Sequence, residues 1–305
     1  MEHSGWVSGE ALWEWRESAR QSTSAYIHNA QAADRYLWEL DWLLTSVATV
    51  DRLSLKLETY RTHPTIAVER SLSELSTLWQ RRLQEQVPVQ YLLGRVGWRN
   101  FTLAVAPGVL IPRPETELLI DLAIAAASQN PQEPMHWADL GTGSGAIALA
   151  LATSFPTATI HAVDTSAVAL EIAQRNAAQL GLTDRVKFYQ GNWLDPLTNL
   201  QGTLMGIISN PPYIPSAEVL TLQPEVANHE PHLALDGGTD GLDAFRAVVQ
   251  QAPAFLRSGG VLLLEMMIGQ ATAVSSLLGE SGNYINIQTH TDLASIQRFA
   301  QAYRK

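Results

Sequence analysis

Three glycines in five residues, Gly141, Gly143 and Gly145, separate a short apolar run from a helix of small side chains, and this junction limits the architecture more than any other feature. His136-Trp137-Ala138-Asp139-Leu140 reads as a strand, and Ala146 to Ala152 reads as a helix whose alanines suit close packing on a sheet. Glycines in the turn let a ligand approach the main chain closely. A second apolar run, Ala158-Thr159-Ile160-His161-Ala162-Val163, ends in Asp164, 19 residues beyond Gly145. An acid at that place suits a ribose hydroxyl pair. The plainer alternative is a cap on the helix that begins near Ser166. The Gly-x-Gly-x-Gly spacing differs from the Gly-x-Gly-x-x-Gly dinucleotide fingerprint, and alone it leaves the cofactor open among nucleotide-like molecules.

The remaining pattern from about residue 107 alternates strand and helix. A helix through Val168-Ala169-Leu170-Glu171-Ile172-Ala173 ends at Gly181, and strands follow at Val186 to Tyr189 and at Ile207-Ile208. A helix through Phe245 to Val249 and the strand Val261 to Glu265 close the series. Such alternation predicts an α/β fold with a doubly wound, Rossmann-like sheet. Residues 1–86 carry helical periodicity instead, in Tyr36 to Leu44 and in the stripe Leu72, Leu75, Leu78, Trp79 and Leu83. The stripe is expected to be the core of a small helical domain rather than a groove for a partner. Pro88 interrupts the helical pattern, and Gly94, Gly97 and the alternation Phe101-Thr102-Leu103-Ala104-Val105 predict a hairpin linker over 87–106. The third division is then 107–305.

Beyond the apolar run Met205-Gly206-Ile207-Ile208-Ser209 stands Asn210-Pro211-Pro212-Tyr213, at the mouth of a buried strand. A planar amide or ring amine is a poor nucleophile because its nitrogen lone pair is delocalised, so alkylating it demands strict orientation. The Asn210 side-chain oxygen and the Pro211 carbonyl can each accept one N–H, and Tyr213 can pack on the planar group. Proline offers no competing N–H, and Pro212 biases Pro211 towards extended geometry. The plain alternative is a Pro-Pro turn after a strand. With the glycine loop and Asp164 in one α/β unit, the tetrapeptide favours S-adenosylmethionine over a nicotinamide, and the expectation is a methyltransferase.

Composition narrows the class further. No apolar stretch reaches the ~18 residues that a spanning helix needs, and Met1-Glu2-His3-Ser4-Gly5 lacks a basic region followed by an apolar segment, so no secretion and no membrane partner are expected. With no cysteine there is neither disulfide framework nor thiolate nucleophile, and the eight histidines show no metal-cage spacing, so no metal is expected. A net charge of −10 argues against a broad phosphate-binding surface, and acids outnumber bases in the first 86 residues. Direct nucleic-acid binding is not expected.

Five segments in order carry a family resemblance: Gln90-Tyr91-Leu92-Leu93-Gly94, Ile111-Pro112-Arg113-Pro114-Glu115-Thr116-Glu117, the Gly141 loop, Asn210 to Tyr213, and Glu230-Pro231 with Ala234-Leu235-Asp236-Gly237-Gly238-Thr239-Asp240-Gly241-Leu242. From about residue 90 onward the chain closely resembles the protein-(glutamine-N5) methyltransferases that modify peptide chain release factors. The resemblance implies a seven-stranded methyltransferase domain behind a small helical substrate-recognition domain. It implies transfer of a methyl group from S-adenosylmethionine to the glutamine side-chain amide in the Gly-Gly-Gln loop of class I release factors, in the cytoplasm.

By matching position it implies that Gly141, Thr142, Gly143, Ser144 and Gly145 form the cofactor loop, that Asp164 takes the ribose hydroxyls, and that Trp193 flanks the adenine. Asn210 would face both cofactor and substrate, with Pro211, Pro212 and Tyr213 holding the glutamine amide. Trp193 could also be an ordinary core aromatic, since the chain has nine tryptophans. Pro112 to Glu117 reads as the start of a helix, its acids suited to a first turn, with no ligand contact assigned. Asn192 stands where the family usually has Asp, Met267 where it tends to have Gly, and Ser295 where Gly is common. Two other substrates stay open: a ribosomal-protein glutamine, and an adenine amine on a flipped base, which would want a basic channel.

Overall fold

The computed structural model describes residues 5–27, 29–129 and 135–305, so residues 1–4 of the N-terminal expectation lie outside the described residues. Two compact units are present, one ending at Leu93 and the other beginning at Gly94. Among the described residues no helix is long and apolar enough to cross a membrane.

The first unit is built from helices Gly9–Tyr26, Ala30–Val47, Arg52–Leu57, Leu72–Gln84 and Val89–Leu93. Ser8, Asn29, Asp51 and Ser71 each accept a backbone N–H at a helix start, and Ser71 with Glu74 forms a full capping box. The apolar stripe is the unit's own core: Leu40, Leu43 and Leu44 of one helix and Leu75, Trp79 and Leu83 of another are buried with Leu12 and Leu55. Val89 and Leu93 join that core, which is why helical packing continues past Pro88 to the end of the unit. Gly5–Val7 and Ile66–Val68 add a short antiparallel pair whose three-residue runs are too brief to show alternation in sequence.

The second unit opens with a hairpin of Arg95–Trp98 and Phe101–Ala104. Its sheet has seven strands: β1 (His136–Leu140), β2 (Thr159–Asp164), β3 (Val186–Gln190), β4 (Leu204–Ser209), β5 (Leu256–Glu265), β6 (Tyr284–Thr291) and β7 (Gln297–Arg304). Strand order is β3-β2-β1-β4-β5-β7-β6, parallel through β5 and antiparallel over the last two. The longer helices are α1 (Glu117–Gln129), α2 (Ala146–Ser154), α3 (Ala167–Gln179), α4 (Asp243–Phe255) and α5 (Ala271–Glu280), with short helical turns at Ser216–Val219 and Pro224–Ala227. Every residue of β4 is buried, as a strand covered on both faces requires.

Strand register sets up the site. Leu140 pairs with Val163 on one side and Ser209 on the other, and Ser209 pairs with Leu264. The next residue on each strand is therefore Gly141, Asp164, Asn210 or Glu265, one row at the carboxyl edge. The order reverses between β1 and β4, and ligands of open α/β sheets lie outside the carboxyl ends at such a reversal.

Candidate active site

The loop after β1 takes the backbone its glycines permit, with φ of 73° at Gly141, 55° at Gly143 and 84° at Gly145. A Cβ at Gly141 or Gly143 would meet no atom within 4 Å, so main chain faces open space there. At Gly145 a Cβ would lie 3.1 Å from the Ala173 methyl, so this glycine brings α3 close and does not line the cleft. Buried Asp139 braces the loop from below, one carboxylate oxygen accepting the Thr142 hydroxyl at 2.6 Å and the Ala148 N–H at 3.0 Å. It supplies the cap that Gly145 lacks a side chain to give, and burial pushes its carboxyl up to about 7. Thr142 thus turns its hydroxyl inward, and the Ser144 carbonyl accepts from buried Asn176, whose amide also bonds both main-chain polar groups of Ala104.

Asp164 reaches across the loop. Its carboxylate accepts the Gly143 N–H and the Ser166 N–H, each at 2.9 Å, while burial raises its pKa against those two donors. The cap of α3 is Ser166 itself, which accepts from Ala169, so Asp164 is not needed for that purpose. Trp193 follows β3 in a left-handed conformation, φ 45°, costly by about 1–2 kcal/mol for a side chain of its size. Together with Asn192 it lines a cleft of about 200 Å³ bounded by Gly141 to Ser144, Asp164, Val109, Arg113, Asn210 and Pro212.

The Asn210 end of the cleft is assembled at β4. The Ser209 hydroxyl donates to the Leu140 carbonyl at 2.7 Å, so Asn210 emerges beside the glycine loop. The Asn210 amide Nδ2 donates to Thr116 Oγ1 at 3.2 Å, and the Thr116 hydroxyl donates to Glu265 Oε2 at 2.6 Å. The Tyr213 hydroxyl lies 3.5 Å from the other Glu265 oxygen. Burial pushes Glu265 up to about 7 and raises Tyr213 above its ordinary range. A second cavity, about 270 Å³, is lined by Tyr213, Ile214, Leu222, Val226 and Leu235, and shares Leu110, Arg113, Asn210 and Ala234 with the first. Asn210 therefore borders both. Pro211 is buried and lines neither.

The Gly237 to Gly241 turn braces this loop from behind. Ile214 uses both its main-chain groups here, its N–H donating to Leu235 O at 2.9 Å and its carbonyl accepting the Gly237 N–H at 2.8 Å. A Cβ at Gly241 would overlap the Tyr213 carbonyl, which instead accepts the Gln270 side chain at 2.9 Å. Arg113 bonds Glu230 at 2.8 Å, and its own carbonyl accepts the Trp98 indole at 2.8 Å. Thr116, Glu265, Gln270 and the Arg113–Glu230 pair are the residues that sequence reasoning left without a role. Their partners lie up to 149 positions apart, beyond any local pattern. Among the described residues no cluster of three or more His, Cys, Asp or Glu could hold a metal ion.

The cleft's composition fits S-adenosylmethionine. Open main chain at Gly141 and Gly143, a carboxylate at Asp164 and the flat Trp193 side chain offer close approach, a diol acceptor and a surface for a purine.

Similarity to known proteins follows the same lines. Residues 118–239 match the family model "Methyltransferase small domain". The chain is 48% identical over 302 residues to the release factor glutamine methyltransferase of Synechocystis sp., covering 98% of each. It is 48% identical to that of Thermosynechococcus vestitus, covering 97% of this chain and 99% of the relative. To that of Gloeobacter violaceus it is 44% identical, covering 95% and 96%.

Proposed function

The chain belongs to the release factor glutamine methyltransferase family, and we propose that it methylates the side-chain amide nitrogen of the Gly-Gly-Gln glutamine in class I peptide chain release factors, in the cytoplasm, with S-adenosylmethionine as donor. The observation that carries this reading is the position of Asn210, on the border between a cleft suited to the cofactor and a neighbouring cavity open to a second molecule.

When bound, S-adenosylmethionine supplies a methyl already activated on a sulfonium, so the protein's task is orientation, which can be worth about 7–11 kcal/mol. Gly141 and Gly143 admit the ligand to the main chain, Asp164 accepts from the ribose hydroxyls, and Trp193 with Asn192 flanks the adenine. Asn210 Oδ1 accepts one substrate N–H, and the Pro211 carbonyl, which lines neither cavity before substrate enters, is assigned the other, with Pro212 and Tyr213 walling the planar group. As the substrate nitrogen turns pyramidal and gains positive charge, the two carbonyl dipoles stabilise it more than they stabilise the flat ground state. The helical unit is assigned the recognition of the release factor body, since chemistry at one amide needs no such unit.

Incubation with labelled cofactor and purified class I release factors, followed by mass-spectrometric mapping, tests the proposal. Label confined to the Gly-Gly-Gln glutamine is expected. Labelling of a ribosomal protein with release factors unmodified would overturn it.

A further inference from the structure

We propose that Thr116 and Glu265 are positioning residues for the transfer, holding the Asn210 amide so that Oδ1 rather than Nδ2 meets the substrate amide. The two ends of an asparagine amide are nearly the same size and differ only in whether they accept or donate. A substrate NH2 is served by the accepting end and repelled by the donating one, and nothing within Asn210 selects between them.

The selection comes from a chain of two hydrogen bonds. An ionised carboxylate can only accept, so the Thr116 hydroxyl must spend its single proton on Glu265 Oε2, 2.6 Å away. Thr116 Oγ1 is then left as an acceptor at 3.2 Å from the Asn210 amide, and only the Nδ2 end can satisfy it. Oδ1 is thereby turned to the opposite side. Strand register supports the chain, because Asn210 and Glu265 each follow a paired residue, Ser209 and Leu264, at adjacent strand ends. Thr116 enters from the turn before α1 and is buried, as is Glu265.

Direction is enforced only while Glu265 is ionised. A neutral carboxyl has a proton to give, and Thr116 could then pass its own to Asn210 and reverse the amide. Thr116 and Tyr213 face Glu265 directly, Glu115 beside Thr116 opposes its ionisation, and Arg298 on β7 favours it. Burial outweighs these and pushes the group up to about 7, so enforcement weakens as pH falls through neutrality.

What Oδ1 meets rests on the functional reading above, whereas the direction of the chain does not, and the test separates the two. In full-length 15N-labelled protein the Asn210 side-chain NH2 signals, identified by their loss in Asn210→Ser, should shift in Thr116→Val and stay in place in Thr116→Ser. In single-turnover methylation of a class I release factor, Thr116→Val should be about 10- to 100-fold slower with cofactor affinity within about threefold, and Thr116→Ser should recover most of the loss. The wild-type rate should fall below about pH 7, and Glu265→Gln should be slow without that fall. Unmoved NH2 signals in Thr116→Val, equal losses in the Val and Ser variants, or an unchanged pH profile in Glu265→Gln would overturn the assignment. A wild-type protein that methylates no release factor would defeat the functional reading and leave the NH2 result to decide the chain.

Discussion

In the proposed reaction Asn210 is assigned to the reacting nitrogen and Asp164 to the ribose, and separate measurements follow for each. Replacing Asn210 with Ala removes an acceptor whose value appears as the nitrogen gains charge, so single-turnover methylation should fall by about 100-fold or more. Cofactor affinity should stay within several-fold, and methylation at the wild-type rate would remove Asn210 from its assigned role. Asp164 already spends part of its carboxylate on Gly143 and Ser166, yet its lone pairs are not exhausted by two N–H donors. Asp164→Asn keeps the shape and one acceptor, and should weaken cofactor binding by about 1–3 kcal/mol, the worth of a hydrogen bond to a charged group. Calorimetry with the cofactor measures this directly. Undiminished affinity would mean that Asp164 serves only to brace the loop.

Gly206 illustrates how β4 and β1 are fitted to one another beneath those residues. A Cβ there would overlap the Trp137 ring, which is fully buried and stacks on Phe155 at 5.2 Å between centroids. Gly206→Ala should cost about 3 kcal/mol by urea unfolding, an overpacking penalty, and a stability equal to wild type would mean that the indole has room to move. The glycine was visible in the apolar run, but the indole it accommodates was not, because the pair meet across a strand ladder. The same limit separates what could be read from what could not. β1, β2, β4 and β5 announce themselves as apolar runs because parallel strands are covered on both faces. β6 reads Tyr-Ile-Asn-Ile-Gln-Thr-His-Thr, is largely exposed at the sheet edge and carries register shifts, so its periodicity is broken, and only the family resemblance implied seven strands. Pro112 to Glu117 showed a helix start, which it is, while Thr116's partner on β5 lay out of reach of any spacing rule. Ser295, where glycine is common in the family, turns between β6 and β7 with φ 62°. Ser295→Gly should therefore raise stability by up to about 1 kcal/mol, and a lowered urea midpoint would show that the serine conformation is not strained.

Three buried titratable groups of the second unit give the folded chain its own dependence of stability on pH. Asp139 and Glu265 are carried from ordinary values of 3.8 and 4.5 up to about 7. Between those limits the folded state holds more protons than the unfolded one, so each contribution falls as pH rises through the interval. His161 acts in reverse. It sits between His136 and Tyr189, 3.1 Å from each, and burial with the nearby His136 and Lys187 lowers it from 6.5 to about 4. There the unfolded chain binds more protons, and stability is lost as pH falls from 6.5 towards 4, on the order of 3 kcal/mol when complete. From pH 8 down to about 6.5 only the carboxyls respond, and they stabilise on protonation. Below that the histidine subtracts. The net charge of −10 at neutrality also relaxes on acidification, which favours the compact state. The urea midpoint should accordingly rise as pH falls from 8 to about 4.5, less steeply below pH 6.5, where His161 offsets one of the two carboxyls. Glu265→Gln separates the buried carboxyl from the general charge effect: it should reduce the rise above pH 6.5 and flatten the segment below it. His161→Asn should do the opposite, keeping the rise above pH 6.5 and steepening it below. A wild-type midpoint that climbs steadily from pH 6.5 to pH 8 would mean that Asp139 and Glu265 fold as ordinary carboxylates, and the pH-dependent part of the Thr116 chain would fall with them.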